Sequence, residues 1–160
     1  MRFIEPDDKG TEPIANRIIM LPMDVKKARM RDPRAGAGFN ALVPVGSVEK
    51  GKDLVTTGGM KIVGNQIVQG KTTACSTCHG LDLMGVADVP PIAGRSPSYI
   101  VRQIWDIQQG TRNGAAVQLM KQAIANLNGE DLVNIAAYVS SRRPNNAAPR
   151  GTMTAVLQRP

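Results

Sequence analysis

Cys75-Ser76-Thr77-Cys78-His79 contains both cysteines and the only histidine of a 160-residue chain. Two thiols three positions apart can add to the two vinyl groups of a haem while the adjacent imidazole reaches the iron, so one turn of chain supplies both tether and ligand. The same residue types admit a disulfide, a thioredoxin-like dithiol or a zinc site. A closed structural zinc site wants four N or S ligands, and here three such residues are packed into five positions. A thioredoxin-like pair belongs in a βαβ setting, whereas this motif has a Gly-rich loop before it and Gly80-Leu81-Asp82 after it. The motif therefore reads as the covalent attachment point of one c-type haem, with Cys75 and Cys78 as thioether donors and His79 as an axial ligand.

A sole histidine rules out a second imidazole from the same chain. The sixth iron position must come from methionine, from another residue type, or from nothing. Eight methionines compete. Met84 lies just past His79 on the same side of the haem, which makes the opposite face awkward to reach. Met1, Met20, Met23, Met30 and Met153 fall in the extensions, and Met60 precedes the motif. Met120 follows His79 at a distance that lets the chain wrap around the haem edge. The ordinary role of any one methionine is to fill gaps in a core.

Hydrophobic residues make up 42% of the chain but aromatics only 3%. Large flat side chains are thus scarce, and a haem would supply that missing apolar mass. The formal net charge of +7 is spread along the chain, without a basic stripe or interleaved aromatics for base stacking. Nucleic acid is not the expected partner. A solvated basic surface, or a docking face for an acidic redox protein, accounts for the charge. No run of eighteen apolar residues exists, so no membrane span is expected. The opening Met1-Arg2-Phe3-Ile4-Glu5-Pro6-Asp7-Asp8 has early acids and no apolar stretch, unlike a secretory signal.

Around the motif the chain divides into three parts. Residues 1–44 are a Pro-punctuated extension that reads either as a flexible arm or as a strap over the rest. Residues 45–144 are the compact domain, and residues 145–160 a polar, loose tail. Within the domain, Ser47 is expected to cap a helix over Val48–Thr56 that stops at Gly58-Gly59. Met60–Gln69 reads as a small β-hairpin around Gly64-Asn65. Ser96-Pro97 opens an amphipathic helix with Ile100, Val101, Ile104, Trp105 and Ile107 at helical spacing until Gly110. A further helical piece covers Val117–Asn126. The last helix starts at Asn128, has Glu130 and Asp131 in its first turn and a stripe of Leu132, Ile135, Ala136 and Val139, and ends at Pro144.

From Gly46 to Pro144 the chain resembles the class I cytochromes c of bacteria, especially the small c5/c553-like group. The resemblance rests on Cys75-Ser76-Thr77-Cys78-His79-Gly80, Pro90-Pro91-Ile92-Ala93-Gly94, Ser98-Tyr99-Ile100, Gly110-Thr111-Arg112, Met120, Leu127-Asn128-Gly129-Glu130-Asp131-Leu132 and Ala136-Ala137-Tyr138. It implies an all-α class I cytochrome c fold around one covalent haem, with the hairpin and the Pro-rich extension as additions. It also implies His79 as proximal and Met120 as distal ligand, and the Pro90 carbonyl as acceptor for the His79 Nδ1 proton. Gly51 would allow the first helix to cross the last near Tyr138. Arg95, Tyr99, Trp105 and Arg112 are candidates to touch the haem or its propionates, or to serve as surface and packing. The pattern departs from the family at Lys121, where a proline often follows the ligating methionine, and in the length of residues 1–44, which look like the region after a first haem domain in two-haem relatives.

Such a resemblance implies one-electron transfer in an exported, periplasmic setting, from a periplasmic donor to a respiratory or photosynthetic acceptor, with a removed or separate export signal. The partner is an acidic redox protein, or a larger complex in which the chain is a fixed haem subunit. A haem sensor or peroxidase with an open sixth site is the alternative chemistry.

Overall fold

Helix α2 (Ser47–Thr57) and helix α6 (Gly129–Ser141) cross at the centre of the molecule, and one glycine sets how closely. A Cβ on Gly51 would stand 1.9 Å from the Asn134 carbonyl oxygen and 2.9 Å from Tyr138 Cβ, so only glycine lets the two backbones meet there. The computed structural model describes residues 13–29 and 38–142. The tail at 145–160, Pro144, Met1, Met30 and Met153 lie outside the described residues.

Between those two helices the chain runs through helix α3 (Cys75–His79), helix α4 (Pro97–Gln108), a 3-10 turn at Ala115–Val117 and helix α5 (Gln118–Ile124). The fold is mainly helical, as the sequence leads one to expect, with two small two-stranded sheets of which one is expected. Its core is aliphatic: Leu54, Val55, Leu83, Ile100, Ile104, Ile107, Ile124, Leu132, Ile135, Ala136 and Val139 pack as one cluster. Among the described residues no helix is long and apolar enough to cross a membrane.

The helix boundaries follow local chemistry. Asn128 accepts from the Asp131 backbone N–H at 3.0 Å while Asp131 Oδ2 accepts from the Asn128 N–H at 3.0 Å, a reciprocal cap that satisfies two donors at the start of α6. Pro97 occupies the first turn of α4, where its missing N–H costs nothing. At α2 the expectation fails in detail. Ser47 is inside the helix and buried, and Gly46 precedes it with φ +82°. The chain turns sharply out of Pro44, with the Ser47 N–H on the Pro44 carbonyl at 3.1 Å, and that turn demands a left-handed residue before the helix. Gly58, also left-handed, ends α2 with its N–H on Asp53 and Leu54 carbonyls, as expected.

Strands β3 (Lys61–Val63) and β4 (Gln66–Val68) pair antiparallel around Gly64-Asn65, with Gly64 at φ +61°. This is the expected hairpin. The other sheet is not legible in the sequence. Strand β1 (Ile19–Pro22) pairs antiparallel with β2 (Phe39–Leu42), and the short helix α1 (Val25–Arg29) lies between them in sequence. Proline-rich chain gives little local strand signal, and this pairing bridges distant positions. Its partner surface is the domain itself. Ala41 and Val43 are buried, Ile18 packs on the core, and Ser98 Oγ donates to Met20 Sδ at 3.2 Å.

A second correction concerns α4. Ile100, Ile104 and Ile107 face inward as expected, but Trp105 is 53% exposed. At 100° per residue it stands beside the isoleucine stripe rather than in it, and it lines a shallow groove with Ile18, Val101 and Val133.

Candidate functional site

Helix α3 is a single turn, so its three reactive side chains leave one small piece of backbone. His79 is buried, and its Nδ1 lies 2.8 Å from the Pro90 carbonyl oxygen. A carbonyl only accepts, so Nδ1 must carry the proton and donate it. Nε2 then holds the free lone pair and has no hydrogen-bond partner among the described residues. This fixes both tautomer and ring orientation, which is what a metal-binding imidazole requires.

The loop after His79 is built to present that carbonyl. Gly85 N–H bonds the His79 carbonyl at 2.8 Å, and Leu83 N–H bonds the Gly80 carbonyl at 2.9 Å. Leu83 is the unexpected residue. It is almost fully buried, sits at φ +62°, and its carbonyl accepts from both Ile92 and Ala93 N–H at 2.9 and 3.0 Å. A leucine in the left-handed region is strained and persists only where its surroundings hold it. The two hydrogen bonds and the core do so, and they draw residues 90–93 back beneath His79. Nothing in a leucine codon pattern or in local hydropathy announces this role. At the far end, Gly94 N–H bonds the Val139 carbonyl at 3.0 Å and so anchors the loop on the last turn of α6.

The two thiols are free, with Cys75 half-buried and Cys78 exposed. Burial pushes the Cys75 thiol up to about 11, with its own backbone N–H and the nearby Cys78 as lesser influences. Among the described residues there is no cluster of three His, Cys, Asp or Glu side chains able to hold a metal ion. A protonated Nδ1 and a free Nε2 on the same turn as Cys75 and Cys78 fit a covalently held haem.

Met120 lies on α5, half-buried against the core. Two side chains hold the end of that helix. Thr72 Oγ1, three residues before Cys75, donates to the Ala123 carbonyl at 2.7 Å. Gln108 Nε2, the last residue of α4, donates to the Ile124 and Leu127 carbonyls at 2.8 and 2.9 Å. Both satisfy carbonyls that a helix end leaves without partners. Beside Thr72, Lys71 Nζ sits 3.1 Å from both carboxylate oxygens of Asp131, the capping residue of α6. The segment leading into Cys75 is thus fastened to the Met120 helix and to α6. Sequence reasoning missed Thr72, Lys71 and Gln108, which are separated from their partners by long stretches of chain.

The remaining predicted residues scatter. Arg95 Nε is 3.4 Å from the Pro91 carbonyl, next to Pro90. Tyr99 and Trp105 are exposed on α4. Arg112 reaches Gln103 on α4, and its backbone N–H bonds the Asp106 carbonyl. Among the described residues none of these four side chains bonds the turn from Cys75 to His79. Met84 is half-buried beside the core, its N–H held by Asp82 Oδ1 at 3.0 Å.

Comparison with known proteins agrees with the motif. Residues 48–143 match the family described as Cytochrome c. Cytochrome c4 of Azotobacter vinelandii is 36% identical over 83 residues, which cover 48% of this chain and 40% of that protein. Cytochrome c-554(548) of Halomonas halodenitrificans is 37% identical over 73 residues, covering 45% of this chain and 88% of the relative. Reduced recombinant cytochrome c4 from Pseudomonas stutzeri superposes with a TM-score of 0.50 at 21% identity over 62% of this chain and 50% of that one, a likeness of fold. The chain spans about 40% of the length of the Azotobacter cytochrome c4.

Proposed function

The chain belongs to the cytochrome c family, and from that premise we propose that it is a one-electron carrier. It holds one haem through Cys75 and Cys78, with His79 and Met120 as axial ligands. The observation that carries this reading is the His79 ring, buried and oriented by the Pro90 carbonyl so that only Nε2 is free for iron.

Bound haem supplies a reversible ferric to ferrous change. The protein supplies everything around it. The hydrogen bond to Pro90 keeps Nδ1 protonated and makes Nε2 a better donor. A thioether from Met120 favours the reduced metal and raises the potential. Two protein ligands leave no site for a substrate, so no bond is made or broken. The fastened ends of α5 and of the segment before Cys75 hold the two ligand-bearing pieces still. Little rearrangement then accompanies each electron.

We place the work in the periplasm, because covalent haem attachment of this kind belongs to exported proteins. The net charge of +7 supports an acidic redox protein as donor or acceptor. A second reading, a haem subunit fixed in a larger redox complex, draws support from the described part of the extension. Its strands β1 and β2 lie against the domain, with Ile18 on the core.

The test is carbon monoxide binding by the reduced, haem-loaded protein. Slow or absent binding together with a reversible one-electron titration is expected. Rapid binding would favour an open sixth site and a sensor or peroxidase role.

A further inference from the structure

The hairpin β3–β4 stands out for the apolar side chains it leaves in water. Every residue from Met60 to Gln69 is exposed. Ile62 is 75%, Ile67 65% and Val63 63% accessible, and Met60 and Val68 are about half exposed. The pairing Lys61 with Val68, Ile62 with Ile67 and Val63 with Gln66 sets Ile62 and Ile67 on one face, and Val63 and Val68 on the other. Neither face meets the core. A two-stranded hairpin with water on both sides gains little by itself, so apolar residues on both faces call for a cover.

Its base, by contrast, is held firmly. Thr72 N–H bonds the Gly58 carbonyl at 3.3 Å, and a Cβ on Gly70 would lie 2.3 Å from that carbonyl oxygen. The hairpin is therefore a projection mounted on the end of α2, and its exit strand leads within a few residues into Cys75. The hairpin itself carries charge of one sign: from Leu54 to Leu81 the sequence has no Asp or Glu, Lys61 lies on the first strand, and Lys71 at the base is paired with Asp131.

We propose that this hairpin is the docking element for the electron-transfer partner, and that the partner is a protein presenting an apolar patch with an acidic rim. The proposal rests on the carrier role argued above and adds where the partner sits. Charge decides between occupants. A second copy of this chain would bring the same Lys61 and an overall +7 against itself. A membrane surface is matched by aromatic residues and clusters of basic ones, and between Leu54 and Leu81 there are two lysines and no Trp, Tyr or Phe. An acidic rim around an apolar centre answers both features, and docking beside the attachment turn keeps the electron path short.

The probe is a set of alkanethiol films on gold ending in carboxylate, in methyl, or in a mixture of the two. The full haem-loaded chain is adsorbed on each, and bound mass is read by quartz microbalance alongside the redox wave. The parent should bind most tightly to the mixed film, and less at high salt. The Ile62→Thr/Ile67→Thr pair keeps strand-forming side chains and disturbs no buried residue. It should weaken binding to the mixed film by about tenfold and leave the pure carboxylate film almost unchanged. Lys61→Glu should weaken binding to both carboxylate-bearing films. Equal binding of parent and double variant on the mixed film would overturn the proposal. So would parent binding to phosphatidylglycerol vesicles that the double variant loses, or a parent dimer in sedimentation that the double variant dissolves. Absence of a redox wave from bound parent on every film would count against the carrier role, while the bound mass still decides the hairpin.

Discussion

His79 and Met120 are held by opposite strategies. His79 sits on a five-residue turn and is oriented by bonds to residues close in sequence, with Gly85 on its carbonyl and Pro90 on its ring. Met120 sits on a seven-residue helix secured at its end by Thr72 and Gln108, which arrive from elsewhere in the chain. The first arrangement is local and stores strain at Leu83. The second is assembled only when the whole domain folds. If His79 and Met120 ligate haem iron as proposed, the histidine should hold through partial loosening and the methionine should leave first.

Replacing the distal side chain gives the largest expected effect. Met120→Ala should lower the reduction potential and let the reduced protein take up carbon monoxide rapidly, while the haem stays attached through Cys75 and Cys78. Voltammetry and flash photolysis read the two changes. If potential and ligand binding both match the parent, Met120 is not the sixth ligand.

On the proximal side, Leu83→Ala removes a nearly inaccessible side chain and leaves a cavity under the Pro90 loop. Denaturation of the haem-loaded protein should show a loss of about 3 kcal/mol, with the backbone strain at this position unrelieved because alanine keeps the Cβ. The methionine ligation should survive. A shift of under about 1 kcal/mol would mean the loop does not depend on Leu83.

A gentler cut separates the two sides more sharply. Thr72→Val keeps shape and removes the bond to the Ala123 carbonyl, at a cost of about 1 kcal/mol. On warming, the spectral signature of methionine ligation should vanish several degrees before global unfolding, whereas Thr72→Ser should restore the parent behaviour. Simultaneous loss in parent and variant would show that the staple does not govern the distal side.

The smallest effect lies on the surface of α6. Lys50 Nζ is 2.8 Å from Glu130 Oε1, and this bond, with the lysine charge, holds the Glu130 carboxyl below its usual 4.5. A lowered folded value means that the pair stabilises the protein above the ordinary glutamate range and ceases to as pH falls through the depressed value. Both groups are exposed, so the contribution is minor and salt-sensitive. Glu130→Gln should lower stability slightly near neutrality at low salt, by an amount that fades as pH falls through the depressed value, and so flatten the acid limb of a stability-against-pH curve. A loss of the same size at every pH would point instead to a structural change at the start of α6.

The same local-versus-distant divide explains what the sequence could reveal. The turn from Cys75 to His79, the caps at Asn128 and Pro97, and the Gly64-Asn65 hairpin are signalled by neighbouring residues. The close approach at Gly51 is visible only through family likeness, since a glycine in a helix does not name what passes it. Strand β1 pairing with β2 and the Thr72 and Gln108 staples join distant positions, and the left-handed Leu83 follows from its bonds to Ile92 and Ala93, which no local pattern announces. Trp105 shows the converse limit: helical spacing put it near the apolar stripe, but the packing of Ile100, Ile104 and Ile107 left it outside.

The most direct measurement of the central claim is the near-infrared absorption of the oxidised protein at neutral pH. A weak sulfur-to-iron charge-transfer band is expected in the parent and in Met84→Ala, and no band in Met120→Ala. A parent lacking the band, or Met120→Ala retaining it, would contradict ligation by His79 and Met120.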